Sequence, residues 1–113
     1  LAEVKVHGKV NKDRVNEVVQ SLSQARITQQ TPTRVAHRRA DLAREREIHD
    51  LQLMEFAEDR LVLQLRTESG TYVKEFVSGD NGRTVPSFSA ALGLPCEVTA
   101  LDVLQVIDTT NEG

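Results

Sequence analysis

The sequence has one cysteine, no tryptophan, one tyrosine and three phenylalanines in 113 residues. With Cys96 as the single thiol, no intrachain disulfide forms and a cysteine-rich metal site is excluded, which suits a reducing, cytoplasmic setting. No apolar run approaches the roughly 20 residues that a membrane-spanning helix needs. The N-terminus also lacks a charged stretch followed by an apolar one, so neither a span nor a secretion signal is visible and no membrane partner is expected. Methionine is missing from the first position; a start at Leu1 is what a fragment or processed product would show. Nor is there room for two good cores: a hydrophobic content of 39% supports one compact domain over residues 1–113. The formal net charge of −3 argues against a generally basic surface.

Against that background the basic residues are unevenly placed. The segment "TRVAHRRADLARERE" holds Arg34, Arg38, Arg39, Arg44 and Arg46 together with His37. Arginine's planar donor fork suits phosphate oxygens and stacking on bases. A plainer reading stands beside it: Asp41, Glu45 and Glu47 are interleaved, so the stretch also fits a solvated strand face with Arg–Glu cross-pairs.

Periodicity predicts an ordered alternation of elements. "AEVKVHG" alternates Val4 and Val6 with polar neighbours, as a half-buried strand does. "NKDRVNEVVQSLSQ" places Val15, Val18, Val19 and Leu22 at helical spacing, with Asn11 or Asp13 available to cap. "ARITQQTPTRVAHRR" reads as extended and polar, and Pro32 marks it as an edge or a broken strand. "REIHDLQLMEF" and "RLVLQLRT" are strands joined by a short hairpin connection at residues 57–59, with Leu61, Leu63 and Leu65 sharing one face. Two short helices follow, "TYVKEFVSG" ended by Gly79 and "FSAALG" capped by Ser87 and ended by Gly93 and Pro95. "EVTALDVLQVID" is the final strand, and residues 109–113 should fray. The sum is an α+β fold, an antiparallel sheet with two or three short helices on one side. Cys96, within the apolar "LGLPCEVTAL", reads as a packing residue.

The lone tyrosine raises the chemical question. Residues two apart share a face only in extended chain, so Tyr72 and Lys74 converge only if the segment after Ser69-Gly70 is still extended there. In that case the ring offers a stacking surface and the lysine a cation for a carboxylate or phosphate. Alternatively Tyr72, Phe76 and Val77 are core residues of a short helix with Lys74 and Glu75 outside; spacing alone favours this.

The longer stretch "GTYVKEFVSGDNGRT" resembles the "GTY-[IV]-[RK]" motif of pseudouridine synthases, and with its "KEF", "GD" and "GRT" it looks like the archaeal and eukaryotic Pus-ten family of tRNA pseudouridine synthases. "QQTPTRVAHRRADLAREREIHDL" resembles that family's "KTP-x-RV-x-HRR" segment, and "EVTALDVLQV" is similar to its last core strand. The likeness runs from about Ile27 to Val106. It implies the C-terminal half of a pseudouridine synthase catalytic domain, acting on a T-loop uridine of tRNA without metal or organic cofactor. Tyr72 then stacks on the flipped base and helps remove the C5 proton, Lys74 pairs with a catalytic aspartate, and Leu101 packs beneath them. Arg34, His37, Arg38, Arg39, Arg44 and Arg46 contact RNA, with Arg83 of the "GRT" counted among them. A flipped base needs a replacement stacking surface, and a buried carboxylate needs a cation to stay ionised. The family's "GRED-x-D" aspartate motif does not occur in this sequence. The resemblance therefore implies a missing N-terminal part as partner, and a fragment silent by itself. The other readings are a noncatalytic RNA-binding module and a protein-interaction domain whose arginines only decorate a sheet.

Overall fold

A computed structural model describes residues 1–35 and 42–102. His37, Arg38 and Arg39, the end of the predicted last strand and the 109–113 tail lie outside the described residues.

Alternation decides the first strand. In β1 (Ala2–Val6) Ala2, Val4 and Val6 are buried, while Lys5 is exposed. Helix α1 (Lys12–Leu22) follows, buried along Val15, Val18, Val19 and Leu22. Of the two candidate caps it is Asn11 that acts, its side chain accepting the Arg14 N–H at 2.7 Å, while Asp13 sits in the first turn. β2 (Arg26–Gln30) is unbroken, and Pro32 is buried just beyond it, so the proline ends the strand rather than interrupting it.

β3 (Ala43–Ala57) and β4 (Arg60–Thr67) form the expected hairpin, with Ala57 opposite Arg60 across the turn. β3 starts earlier than its periodicity suggested because Ala43, Arg44 and Glu45 pair with Gln30, Gln29 and Thr28 of β2, and strict alternation fails inside it. Two register shifts, between Ile48 and Asp50 and between Leu53 and Glu55, each add a residue. They bring Ile48, Leu51, Leu53 and Phe56 opposite Thr67, Leu65, Leu63 and Leu61 on one face despite their uneven spacing. α2 (Val73–Ser78) ends at Gly79 in the left-handed region, φ 84°, as the sequence predicts. β5 (Thr84–Val85), α3 (Phe88–Leu92) and β6 (Cys96–Leu101) complete the described chain, and Ser87 caps α3 by accepting the Ala90 N–H.

The strands form a six-stranded sheet in the order β5-β2-β3-β4-β1-β6, every neighbouring pair antiparallel. The core lies on one face, where the β1, β3 and β4 apolar residues meet α1, Phe76 and Val77 of α2, and Phe88 and Leu92 of α3. The other face carries polar residues such as Gln52, Gln64 and Arg66 and is open. This is the antiparallel α+β arrangement read from the sequence. Cys96 belongs to the core, as its flanks suggest, and burial pushes its thiol pKa up.

Two measurements follow from the packing. Phe76 is fully buried, so Phe76→Ala should cost about 3–5 kcal/mol in chemical denaturation, whereas Met54→Ala, at a half-exposed site, should stay within about 0.5 kcal/mol. Because its pKa is raised, Cys96 holds less thiolate at any pH below its titration than a free thiol does. Its reaction with a thiol reagent at pH 8 should be slow in the folded protein and become fast only in denaturant.

Candidate functional site

The turn after β4 is tied to its own backbone: the Thr71 N–H and hydroxyl both donate to the Glu68 carbonyl, at 3.2 and 2.6 Å. Gly70 has φ +87°, and a Cβ there would stand 3.3 Å from Nε and Nη2 of Arg46. Both the conformation and the arginine packed against it ask for glycine. Tyr72 then sits at the N-cap of α2 with extended backbone, φ −87° and ψ 98°.

That conformation has a specific holder. Gln29, only 2% exposed, uses its side-chain amide as a strand would use its backbone. Its Nε2 donates to the Tyr72 carbonyl at 2.9 Å and its Oε1 accepts the Tyr72 N–H at 2.9 Å. A further Nε2 contact reaches the Thr84 hydroxyl at 3.3 Å. The Tyr72 side chain remains half-buried.

Beside the ring stands an ion pair. Arg34, in the short 3-10 turn Thr33–Val35, donates from Nε to Glu75 Oε2 at 2.8 Å and from Nη2 to Oε1 at 3.4 Å. Its guanidinium carbon is 6.0 Å from the Tyr72 ring centroid, within cation–π range. Glu75 is buried, and its hydrogen bond is the largest cause of a raised Arg34 pKa, burial acting the other way. Arg34 is therefore a permanent cation. Two further ties run parallel: Asp80 Oδ2 accepts the Thr33 N–H at 2.8 Å, and Arg83 donates from Nε and Nη2 to the Thr31 carbonyl at 3.2 and 2.9 Å. The segments "QQTPTR" and "TYVKEFVSGDNGR", far apart in sequence, are thus laced together at Gln29–Tyr72, Thr31–Arg83, Thr33–Asp80 and Arg34–Glu75.

The residues singled out by sequence fall into separate places. Tyr72 and Lys74 flank the start of α2: the chain is extended through Tyr72 and helical from Val73, which makes Lys74 the second helical residue, with an exposed side chain. Leu101 closes β6 opposite Ala2 and is 40% exposed. A concavity of about 430 Å³ lies at the opposite end of β4, among Lys5, His7, Lys9, Glu58 and Asp59. Arg34 and Arg83 aim donors at protein acceptors, Glu75 and the Thr31 carbonyl. The expected Arg–Glu cross-pairing exists, but through Arg26 with Glu45 at 3.2 Å; Arg44 and Arg46 lie on the other side of the sheet from Glu45.

With this geometry in view, a family model described as "Pus10, C-terminal" matches residues 1–107. The chain belongs to this family. It is 41% identical to the tRNA pseudouridine synthase Pus10 of Methanopyrus kandleri over 95% of this chain and 24% of that protein. With the Pyrococcus furiosus protein of the same name it shares 44% identity over 95% of this chain and 28% of the relative. The chain thus spans about a quarter of the length of these relatives. Among solved structures, a chain in the crystal structure of a Cbf5-Nop10-Gar1 complex superposes with a TM-score of 0.68 at 21% identity, covering 87% of this chain and 26% of that one. The antiparallel α+β fold is therefore shared with part of a chain of that complex.

Gln29, Glu75, Thr31 and Asp80 were not singled out by sequence. For Gln29 a signal existed: it follows Ile27 at the two-residue strand period, so a polar group occupies a core-facing position and requires a partner. Removing the side-chain contacts to Tyr72 and Thr84 without much change of volume, Gln29→Met should destabilise the fold by about 1–3 kcal/mol in denaturant titration. Arg34→Met should cost more than Glu75→Gln, since only the first strands a buried carboxylate. Equal effects would show that the ion pair does not hold the segments together.

Proposed function

We propose that this chain is the C-terminal part of the catalytic domain of a tRNA pseudouridine synthase, an isomerase acting on a T-loop uridine. The observation that carries the reading is a tyrosine whose backbone is held at both its N–H and its carbonyl by Gln29 while its half-buried side chain lies beside a permanent cation. A stacking platform needs this combination, because a ring that wanders loses the orientation of the base laid on it.

In this reading the reaction breaks the bond from the ribose C1′ to N1 of uracil and forms a bond from C1′ to C5. The C5 proton leaves, N1 gains a proton, and no oxidant or reductant is involved. Tyr72 carries the flipped base and assists at C5. Lys74, exposed at the start of α2, faces the N-terminal part of the protein and keeps its aspartate ionised. Leu101 supplies apolar contact where that part docks. Arg44 and Arg46, together with His37, Arg38 and Arg39, contact the RNA backbone; Arg34 and Arg83 chiefly brace the segments that present them. Without the aspartate the isolated chain is silent.

The test uses the full-length synthase. Tyr72→Phe should retain tRNA affinity and lose most turnover, and Tyr72→Leu should additionally weaken binding by about 1–3 kcal/mol of lost stacking. Lys74→Met removes the cation and so raises the aspartate pKa, which moves the acidic limb of the pH–rate profile upward. A Tyr72→Phe enzyme with undiminished turnover would overturn the tyrosine's role in proton transfer. An RNA-binding module without catalysis would bind tRNA in a salt-dependent way and form no pseudouridine even with the whole chain present.

A further inference from the structure

β3 sorts its charges by face. Arg46 lies opposite Ile27 and Arg44 opposite Gln29, and cross-strand partners share a face, so both arginines project on the side where Ile27 and Gln29 are buried. Glu45 and Glu47, opposite Thr28 and Arg26, project on the other side, where Glu45 pairs with Arg26 and Glu47 with His49. The ion pairs of the described residues include neither Arg44 nor Arg46.

Both guanidinium groups are also partly cut off from water without compensation. Arg44 Nη1 and Arg46 Nε are buried and have no hydrogen-bond partner, and the one acceptor that Arg46 does reach is the Glu45 carbonyl, 2.8 Å from Nη1. A buried cationic donor with no acceptor is costly, and native proteins leave few such groups unexplained. Their location is specific. Arg46 packs on Gly70, two residues before Tyr72, and Gln29, the cross-strand neighbour of Arg44, is the residue that holds the Tyr72 backbone.

We infer that Arg44 and Arg46 form a binding site for one phosphodiester group of the RNA, the phosphate flanking the nucleotide stacked on Tyr72. The inference rests on the proposed RNA-modifying function and adds a named acceptor to it. Alternate residues of a strand stand roughly 7 Å apart, so two guanidinium forks bracket one tetrahedral anion and each engages one non-bridging oxygen. A phosphodiester offers two such oxygens and arrives tethered to the base. The site thereby measures the distance from sheet to platform: a nucleotide whose base lies on Tyr72 has its phosphate within reach of Arg44 and Arg46, and one lying elsewhere does not.

The experiment replaces single phosphates around the target uridine of a T-arm stem–loop RNA with neutral methylphosphonates and measures the Kd of each for the full-length protein. One position should weaken binding by tenfold or more, while the others change it about threefold or less. Arg44→Gln/Arg46→Gln should lose a similar factor on unmodified RNA and be indifferent to methylphosphonate at that position. Arg44→Lys/Arg46→Lys, which keeps the charge but not the fork, should recover only part of the affinity. If the unaltered protein tolerates neutralisation of every flanking phosphate, or if the glutamine variant loses as much again at the sensitive position, the inference falls while the proposed function stands. If the unaltered protein neither binds nor modifies the unmodified RNA, both fall together.

Discussion

The side-chain amide of Gln29 takes the place of a strand's backbone. By pairing with both the N–H and the carbonyl of Tyr72, it ends the extended segment after β4 at a defined residue and lets α2 begin one residue later. The position of the ring, the exposure of Lys74 and the alignment of Glu75 with Arg34 all follow from where that helix begins. α2 has no side-chain cap of its own, so the local sequence leaves its starting point unassisted. The register comes from across the sheet, through a residue that is buried because it belongs to a core-facing position of β2.

The scaffold was largely readable because its elements obey simple periods. α1 shows helical spacing and an asparagine cap, β1 and β4 alternate, and Gly79 and Gly93 terminate helices in the left-handed region. β3 was harder, since its two register shifts break the alternation that would reveal which side chains face inward. Even so, Arg44, Arg46 and Ile48 share a parity ahead of the first shift, and an isoleucine in that series is enough to mark the face on which the arginines lie. The interleaved glutamates drew attention to cross-pairing along the strand, whereas a strand places its neighbours on opposite sides.

The site itself was legible only in part. A tyrosine and a lysine at that spacing mark a place, but what fixes them is set by contacts at long sequence separation. Glu75 gave little warning: a carboxylate next to Phe76 in a short helix reads as an outward residue, and its burial depends on Arg34 arriving from the turn after β2. Arg83 similarly reads as a solvated cation, yet its guanidinium closes on the Thr31 carbonyl. In both cases the deciding partner is more than forty residues away, beyond the reach of any local window.

The lacing of the two segments also bears on how the molecule is assembled. Its ties join residues 41 to 52 positions apart, so each closes a long loop and depends on β2 and the chain after β4 being held side by side. The Tyr72 amide proton donates to a side chain of β2, so its exchange with solvent deuterium depends on a contact made across the sheet as well as on the short helix that follows. A platform built this way lasts only while the two segments stay side by side, and its integrity reports on the sheet as a whole.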